Sequence, residues 1–564
     1  MKLQLLLWFC LGALVRAESA DLVLRHGQIY QMDPARQQAE SLAVRQGRLI
    51  YVGEDAGVAA LIGPATQVVE LQGRMVLPGF CDAHVHPLWA GLEAARCSLS
   101  QAKDLEQLNL KVREYASAHP ELAWVVGSGW NLPLFPAANP TRQQLDQLVL
   151  ERPVYLESAD GHSAWLNTRA LQVCGITRES PEPAGGRIER EPDGTPSGCL
   201  RENAMQLARQ HLPAVPPEQR QQALLWGVQQ LNRLGVTSFF EACAEPPDLE
   251  AYLALERQGR LCARVVVAQS LADLTGLRQR RQTCNGDLVH ADAVKLFLDG
   301  VMEARTAALS EPYLGTAERG ELLYTPEQLT GHVAALSQAG FQVHMHAIGD
   351  RAVSEGLNAL EANPAALELR PTMAHLQLVN PRDLDRFEKL GVVANVQAYW
   401  AMADEYVVQL TNPSLGPERS EWQYPIASLF ASGATVAAGS DWSVSTPDPL
   451  QAIEVGVTRR APESQDNPWI PAQKARLEDM LAAYTINGAY LCHRELDTGS
   501  LEVGKWADLI VLDRNLFAIP PEEIHRARVD FTFFAGQAVY ERRLNPTSET
   551  RPAREKTPTL VDSL

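Results

Sequence analysis

Six residues scattered along the chain have the right types to hold divalent metal ions: His84, His86, Lys295, His346, His375 and Asp441. His84-Val85-His86 sets two imidazoles on one side of an extended strand, because side chains alternate with period two. Alone such a pair is weak evidence; it gains weight because the other four each lie in, or end, a short apolar run. Imidazole and carboxylate both bind divalent ions. Two ions roughly 3.5–4 Å apart need a bridging anion. The run around Lys295 (residues 293–298) offers no inward Glu or Asp. A lysine among cations is unfavourable as an ammonium, whereas its amine, once it has captured CO2, is an anionic carbamate able to bridge. Two divalent ions then face a carbamate, a hydroxide and Asp441, which leaves a net charge of about +1. Such a centre is a device for activating water.

These residues need a scaffold that brings strand ends together. Short apolar runs ending in polar residues, separated by helical patterns, indicate parallel strands in βα units. Eight are legible: 79–86, 236–241, 263–268, 293–298, 341–346, 372–376, 392–397 and 434–441. Eight units predict an α/β fold, a (β/α)8 TIM barrel, with catalytic groups at the C-terminal ends of the strands. The gap between the first two runs is too long for one crossover, so residues 90–220 are read as an insertion above the catalytic face. Residues 21–77 show short alternating runs broken by Gly and Asp, and 507–513 and 529–534 repeat that texture. The two ends are expected to form one small β-sandwich, over 18–77 and 498–545, around a barrel spanning 78–497. A polar, Pro-containing tail follows over 546–564.

Several longer motifs carry a family resemblance. They include Pro78-Gly79-Phe80-Cys81-Asp82-Ala83-His84-Val85-His86, Asp160-Gly161-His162-Ser163-Ala164-Trp165-Leu166-Asn167 and Lys295-Leu296-Phe297-Leu298-Asp299-Gly300. Arg305-Thr306-Ala307-Ala308-Leu309, His346-Ala347-Ile348-Gly349-Asp350-Arg351, Ala374-His375-Leu376-Gln377, Gly439-Ser440-Asp441-Trp442 and Gly504-Lys505-Trp506-Ala507-Asp508-Leu509 extend it over nearly the whole chain. In these the chain resembles the amidohydrolase superfamily, specifically its N-substituted formamide deformylase-like (YtcJ-type) branch. The resemblance implies that His84 and His86 bind one metal, His346 and His375 a second, and carboxylated Lys295 bridges them. It also implies that a bridging hydroxide attacks a polarised carbonyl, and that Asp441 carries the proton to the departing nitrogen. Zinc is the ion expected first; iron, manganese and nickel suit the same ligands.

The implied activity is hydrolysis of an amide, formamide, cyclic amide or carbamate-like C–N bond in a small molecule. A deaminase, an ester or lactone hydrolase, or a catalytically inactive binding protein are the alternatives. Trp130, Asp160, His162, Glu303 and Arg305 are the substrate-contact candidates. Trp165, Trp400 and Trp442 are further aromatics that could line a pocket. Gly129-Trp130-Asn131 carries Asn where relatives often have Asp. His344 points inward with His346 and is read as a core histidine of a lower layer, with a supporting role beside the ligands as the alternative.

A formal net charge of −18 and a pI near 5.3 argue against nucleic acid as a partner. Lys2, a mostly apolar stretch from Leu3 to Val15, and Val15-Arg16-Ala17 read as an export signal over 1–17, too short for a membrane span. Cleavage removes Lys2 and Arg16, so the mature charge becomes −18 − 2 = −20. A periplasmic or secreted protein with no membrane anchor, assembled as a homodimer, is expected. The eight cysteines that remain form no Cys-x-x-Cys pair and are read mainly as small buried fillers.

Overall fold

The structure, a computed structural model, describes residues 19–542 except positions 34 and 36. The export signal and the tail beyond 545 lie outside the described residues. At the centre eight parallel strands pair in sequence order. They are β1 (Phe80–Val85), β2 (Val236–Ala244), β3 (Arg264–Ser270), β4 (Val289–Phe297), β5 (Gln342–Ala347), β6 (Thr372–His375), β7 (Val393–Val396) and β8 (Val436–Ala438). All nine residues of β2 are buried, as expected for a strand covered on both faces.

The intervening helices carry ordinary start and stop signals. Thr325 and Gln328 form a reciprocal capping box at the head of Pro326–Gln338. Asp350–Glu361 buries Ala352, Val353, Leu357 and Leu360, a stripe at helical spacing that packs toward the sheet. The result is a mostly parallel, nearly closed barrel wrapped by helices.

Closure between β8 and β1 is unusual. Among the described residues no ladder joins them; single hydrogen bonds do so instead. The Asp441 amide donates to the His84 carbonyl at 2.7 Å and the His86 amide to the Trp442 carbonyl at 2.8 Å. The Ser440 amide donates to Asp82 Oδ1 at 2.9 Å. The approach is so close that a Cβ on Gly439 would sit 2.4 Å from the His84 nitrogen, so only glycine fits there.

Two expected strand ends move. His86 lies just past β1 and heads the helix Pro87–Ala94, and Asp441 lies three residues beyond β8. Asp441 and His375 both occupy the left-handed region, at φ +52° and +77°, where non-glycine residues cost on the order of 1–3 kcal/mol.

Between β1 and β2, residues 97–202 build a separate six-stranded sheet with its own core around Trp130, Phe135, Leu156 and Trp165. At the opposite side, strands from both chain ends share a sheet. Leu509–Leu512 runs antiparallel to Met75–Pro78 with Val511 opposite Val76. A four-stranded sheet from residues 22–70 packs nearby, with Leu24, Leu42, Val76 and Leu509 in one apolar cluster.

That unit is pinned to the barrel by Arg264 of β3, whose Nε donates to Asp508 Oδ2 at 2.7 Å while the guanidinium covers the Trp506 ring at 4.6 Å. Both side chains of the ion pair are at most 4% exposed. Arg264→Ala strands a buried carboxylate and is expected to destabilise by about 3–5 kcal/mol, read as a lowered denaturation midpoint. An unchanged midpoint removes this pair from the account of how the ends are held.

Candidate metal centre

Strand register places the candidate ligands at one end of the barrel. Phe297 of β4 pairs with His346 of β5, and Ala347 pairs with His375 of β6. Their side chains converge with those of β1 and the loop after β8. Donor atoms of His84, His375 and Asp441 all lie within 4.8 Å of one another. Lys295 Nζ is 3.3 Å from His84 Nε2. Asp441 Oδ1 stands 3.6 Å from His84 Nε2 and 3.4 Å from His86 Nε2. The His346 and His375 rings are 4.5 Å apart between centroids.

The electrostatics of three of the four imidazoles suit metal ligation. Burial, reinforced by Lys295 and neighbouring imidazoles, holds His84 and His375 well below the ordinary histidine value, and burial, His162 and Lys295 do the same to His346. Neutral imidazole is the form that binds an ion. His375 Nδ1 is buried with no hydrogen-bond partner, as a ligand atom awaiting an ion would be. His346 donates from Nε2 to the Gly300 carbonyl at 3.0 Å, which leaves Nδ1 as its free lone pair. Burial lowers Lys295 to about 8 against the opposing influence of Cys243, Asp441 and Glu241. A useful fraction of its amine is then neutral near physiological pH, the form that reacts with CO2. The donor set therefore fits divalent ions.

A supporting layer orients the ligands. His86 Nδ1 donates to Glu241 Oε1 at 2.9 Å, and the Tyr252 hydroxyl donates to Glu241 Oε2 at 2.6 Å. Burial opposes a charged His86, but hydrogen bonds to Asp441 and Glu241 raise it to about 9. Neither Glu241 nor Tyr252 stands out in the sequence; the available signal was a carboxylate near the end of the second barrel run. Glu241→Gln is expected to weaken metal affinity by about 10–100-fold, measured by competition with a chelator. Affinity equal to the parent's would exclude Glu241 from ligand support. His344 sits against the ligand His84: its Nε2 shares a 2.9 Å hydrogen bond with His84 Nδ1, and its ring stacks on Phe240.

The centre opens into a cavity of about 640 Å3 roofed by the 97–202 unit and by loops after β7 and β8. Asp160, His162 and Glu303 line it. His162 Nδ1 is 2.7 Å from Glu202, and its ring lies 5.2 Å from that of His346. Glu303 accepts from Gln377 at 3.2 Å and from Thr411 at 3.1 Å.

Two expectations fail. Trp130 is fully buried in the core of the 97–202 unit, its indole N–H donating to the Leu156 carbonyl; its neighbours Gly129 and Asn131 line the cavity instead. Arg305 is exposed and outside the cavity lining, on a left-handed backbone at φ +55°. Trp400 and Trp442 line the cavity, whereas Trp165 is core. Tyr399, Asp404, Tyr406 and Tyr424 also line it, without having been foreseen.

A near-closed parallel barrel whose polar residues gather at the C-terminal strand ends is the layout of the (β/α)8 fold. Residues 67–540 match the amidohydrolase family, and the chain belongs to it. It is 30% identical to Protein LONG AFTER FAR-RED 3 of Arabidopsis thaliana, over 92% of each chain. It is 26% identical to the N-substituted formamide deformylase of Arthrobacter pascens, over 93% of this chain and 98% of that one. An uncharacterized metal-dependent hydrolase from Pyrococcus furiosus superposes with a TM-score of 0.69 at 26% identity, over 88% of this chain and 99% of that one.

Proposed function

We propose that the protein is a divalent-metal-dependent hydrolase of non-peptide C–N bonds in small molecules: amides, formamides, cyclic amides or carbamate-like groups. The observation that carries this reading is the convergence of His84, His375 and Asp441 within 4.8 Å, with the Lys295 amine 3.3 Å from His84. The metal-dependent hydrolase and the formamide deformylase among the relatives support it. His84 and His86 would hold one ion, His346 and His375 another, and Lys295, carboxylated by CO2 with loss of a proton, would join them. Zinc is the first choice, and bound ions there would polarise a carbonyl and acidify water.

The chain's own residues do the rest. Asp441 reaches both His84 and His86 and takes the proton of the attacking water. It then delivers that proton to the departing nitrogen, which would otherwise leave as a poor amide anion. The 97–202 unit and the loops around it shield the reacting bond from bulk water. We read that unit as an insertion shaping the pocket, and the two terminal sheets as a sandwich joining the chain ends. The N-terminus is proposed to direct export.

The deciding experiment is elemental analysis of the purified protein beside a panel of amide, formamide and ester substrates. About two zinc-like ions per chain with metal-dependent C–N cleavage is the expected result. One ion per chain points to a mononuclear, deaminase-like site with unmodified Lys295. A protein that takes up no metal, even when zinc is added, is not this enzyme.

A further inference from the structure

The cavity in front of the centre has a one-sided charge. Its lining includes Glu93, Asp160, Glu303 and Asp404 in addition to Asp441, and neither a lysine nor an arginine among the described residues. Apart from the candidate ligands, its only basic group is His162, already paired with Glu202. Three of the acids, Asp160, Glu303 and Asp404, share the cavity wall with Tyr406. After burial itself, the charges of Asp160, Glu303 and Asp404 all act to hold the Tyr406 phenol well above its ordinary value. Burial likewise keeps the Glu303 and Asp404 carboxyls above the usual carboxylate range, as expected of acids removed from water without a cationic partner. Asp160 Oδ2 is buried with no hydrogen-bond partner at all. Tyr399, Trp400, Tyr424 and Trp442 supply aromatic surface to the same space.

Carboxylates and ring faces together are the chemistry that recognises an organic cation. A carboxylate, phosphate or sulfonate at this position would meet like charge with no lysine or arginine in the lining to offset it. We propose that the substrate carries an ammonium group on an apolar stem at the end remote from the scissile bond, seated against Tyr406 between Asp160, Glu303 and Asp404. This assignment rests on the hydrolase reading for the word substrate, since it names what fills the cavity of that same site.

Equilibrium binding separates the two ideas, followed by tryptophan fluorescence on the full-length, metal-loaded protein. Benzyltrimethylammonium serves as the probe because a quaternary ammonium cannot ligate a metal; benzyl alcohol and benzenesulfonate are its neutral and anionic counterparts. The expected result is saturable binding of the ammonium about tenfold tighter than the alcohol, with the sulfonate weakest. Glu303→Gln and, independently, Asp160→Asn should each reduce that preference by about threefold or more, so one poorly folding variant does not decide the matter. Equal affinity for ammonium and alcohol, a preference for the sulfonate, or no saturable ammonium binding overturns the proposal. Retained ammonium selectivity in a protein that hydrolyses nothing in the panel sinks the hydrolase reading and leaves the cation subsite standing.

Discussion

Lys295→Ala is expected to lose bound metal and turnover together, and short carboxylic acids are expected to restore part of both. The side chain is almost fully buried and directed at His84, and no carboxylate replaces it from β4. Removing it leaves a cluster of imidazoles without a bridging anion. A loss of about 10³-fold or more in kcat/KM, on the order of 4 kcal/mol of transition-state stabilisation, follows if the amine carries a carbamate. An added carboxylate can occupy the vacated volume and supply the same two oxygens. A variant with the parent's metal content and rate would eliminate the bridge; loss without rescue would reduce Lys295 to a structural lysine.

Asp441→Asn is expected to behave differently: most of the metal stays and turnover falls by about 10²–10⁴-fold, the range for a positioned general base. Asparagine keeps the shape, tolerates the left-handed backbone at φ +52°, and preserves the main-chain hydrogen bond to His84. What it loses is the capacity to accept and return a proton. The fall should appear in kcat with KM little moved. An unaltered kcat would take Asp441 out of the chemistry.

Much of the barrel was readable because parallel strands leave a local imprint: a short apolar run with a polar residue where it emerges. The six candidate ligands were singled out for the same reason, each standing in or near the end of such a run. What failed was whatever depends on one-residue parity or on long-range pairing. Trp130 follows a β-bulge between Ser128 and Trp130, a break in the two-residue period that turns the indole into the core while Ser128, Gly129 and Asn131 face the cavity. Glu241 becomes a partner of His86 only because β2 lies beside β1 with Glu241 opposite Val85. Tyr406 and Asp404 belong to a stretch that passes into a π-helix at Val407–Thr411, a rare, short form that the α-helical period does not anticipate.

The join between β1 and β8 has a thermodynamic consequence. Where a continuous ladder would ordinarily fasten first strand to last, the fastening consists of main-chain groups of His84, His86, Ser440, Asp441 and Trp442 and the carboxylate of Asp82. Three of these six, His84, His86 and Asp441, are also candidate ligands, so any ion they hold would act as a rivet in the cylinder wall. Occupancy and mechanical integrity are then one equilibrium: ligand binding to the folded state alone adds stability with each tenfold rise in its concentration. Depletion should therefore not leave an idle but intact barrel. It should loosen the cylinder along a single line, with amide exchange rising first at residues 82–86 and 439–442 while the far wall around β4 and β5 stays protected.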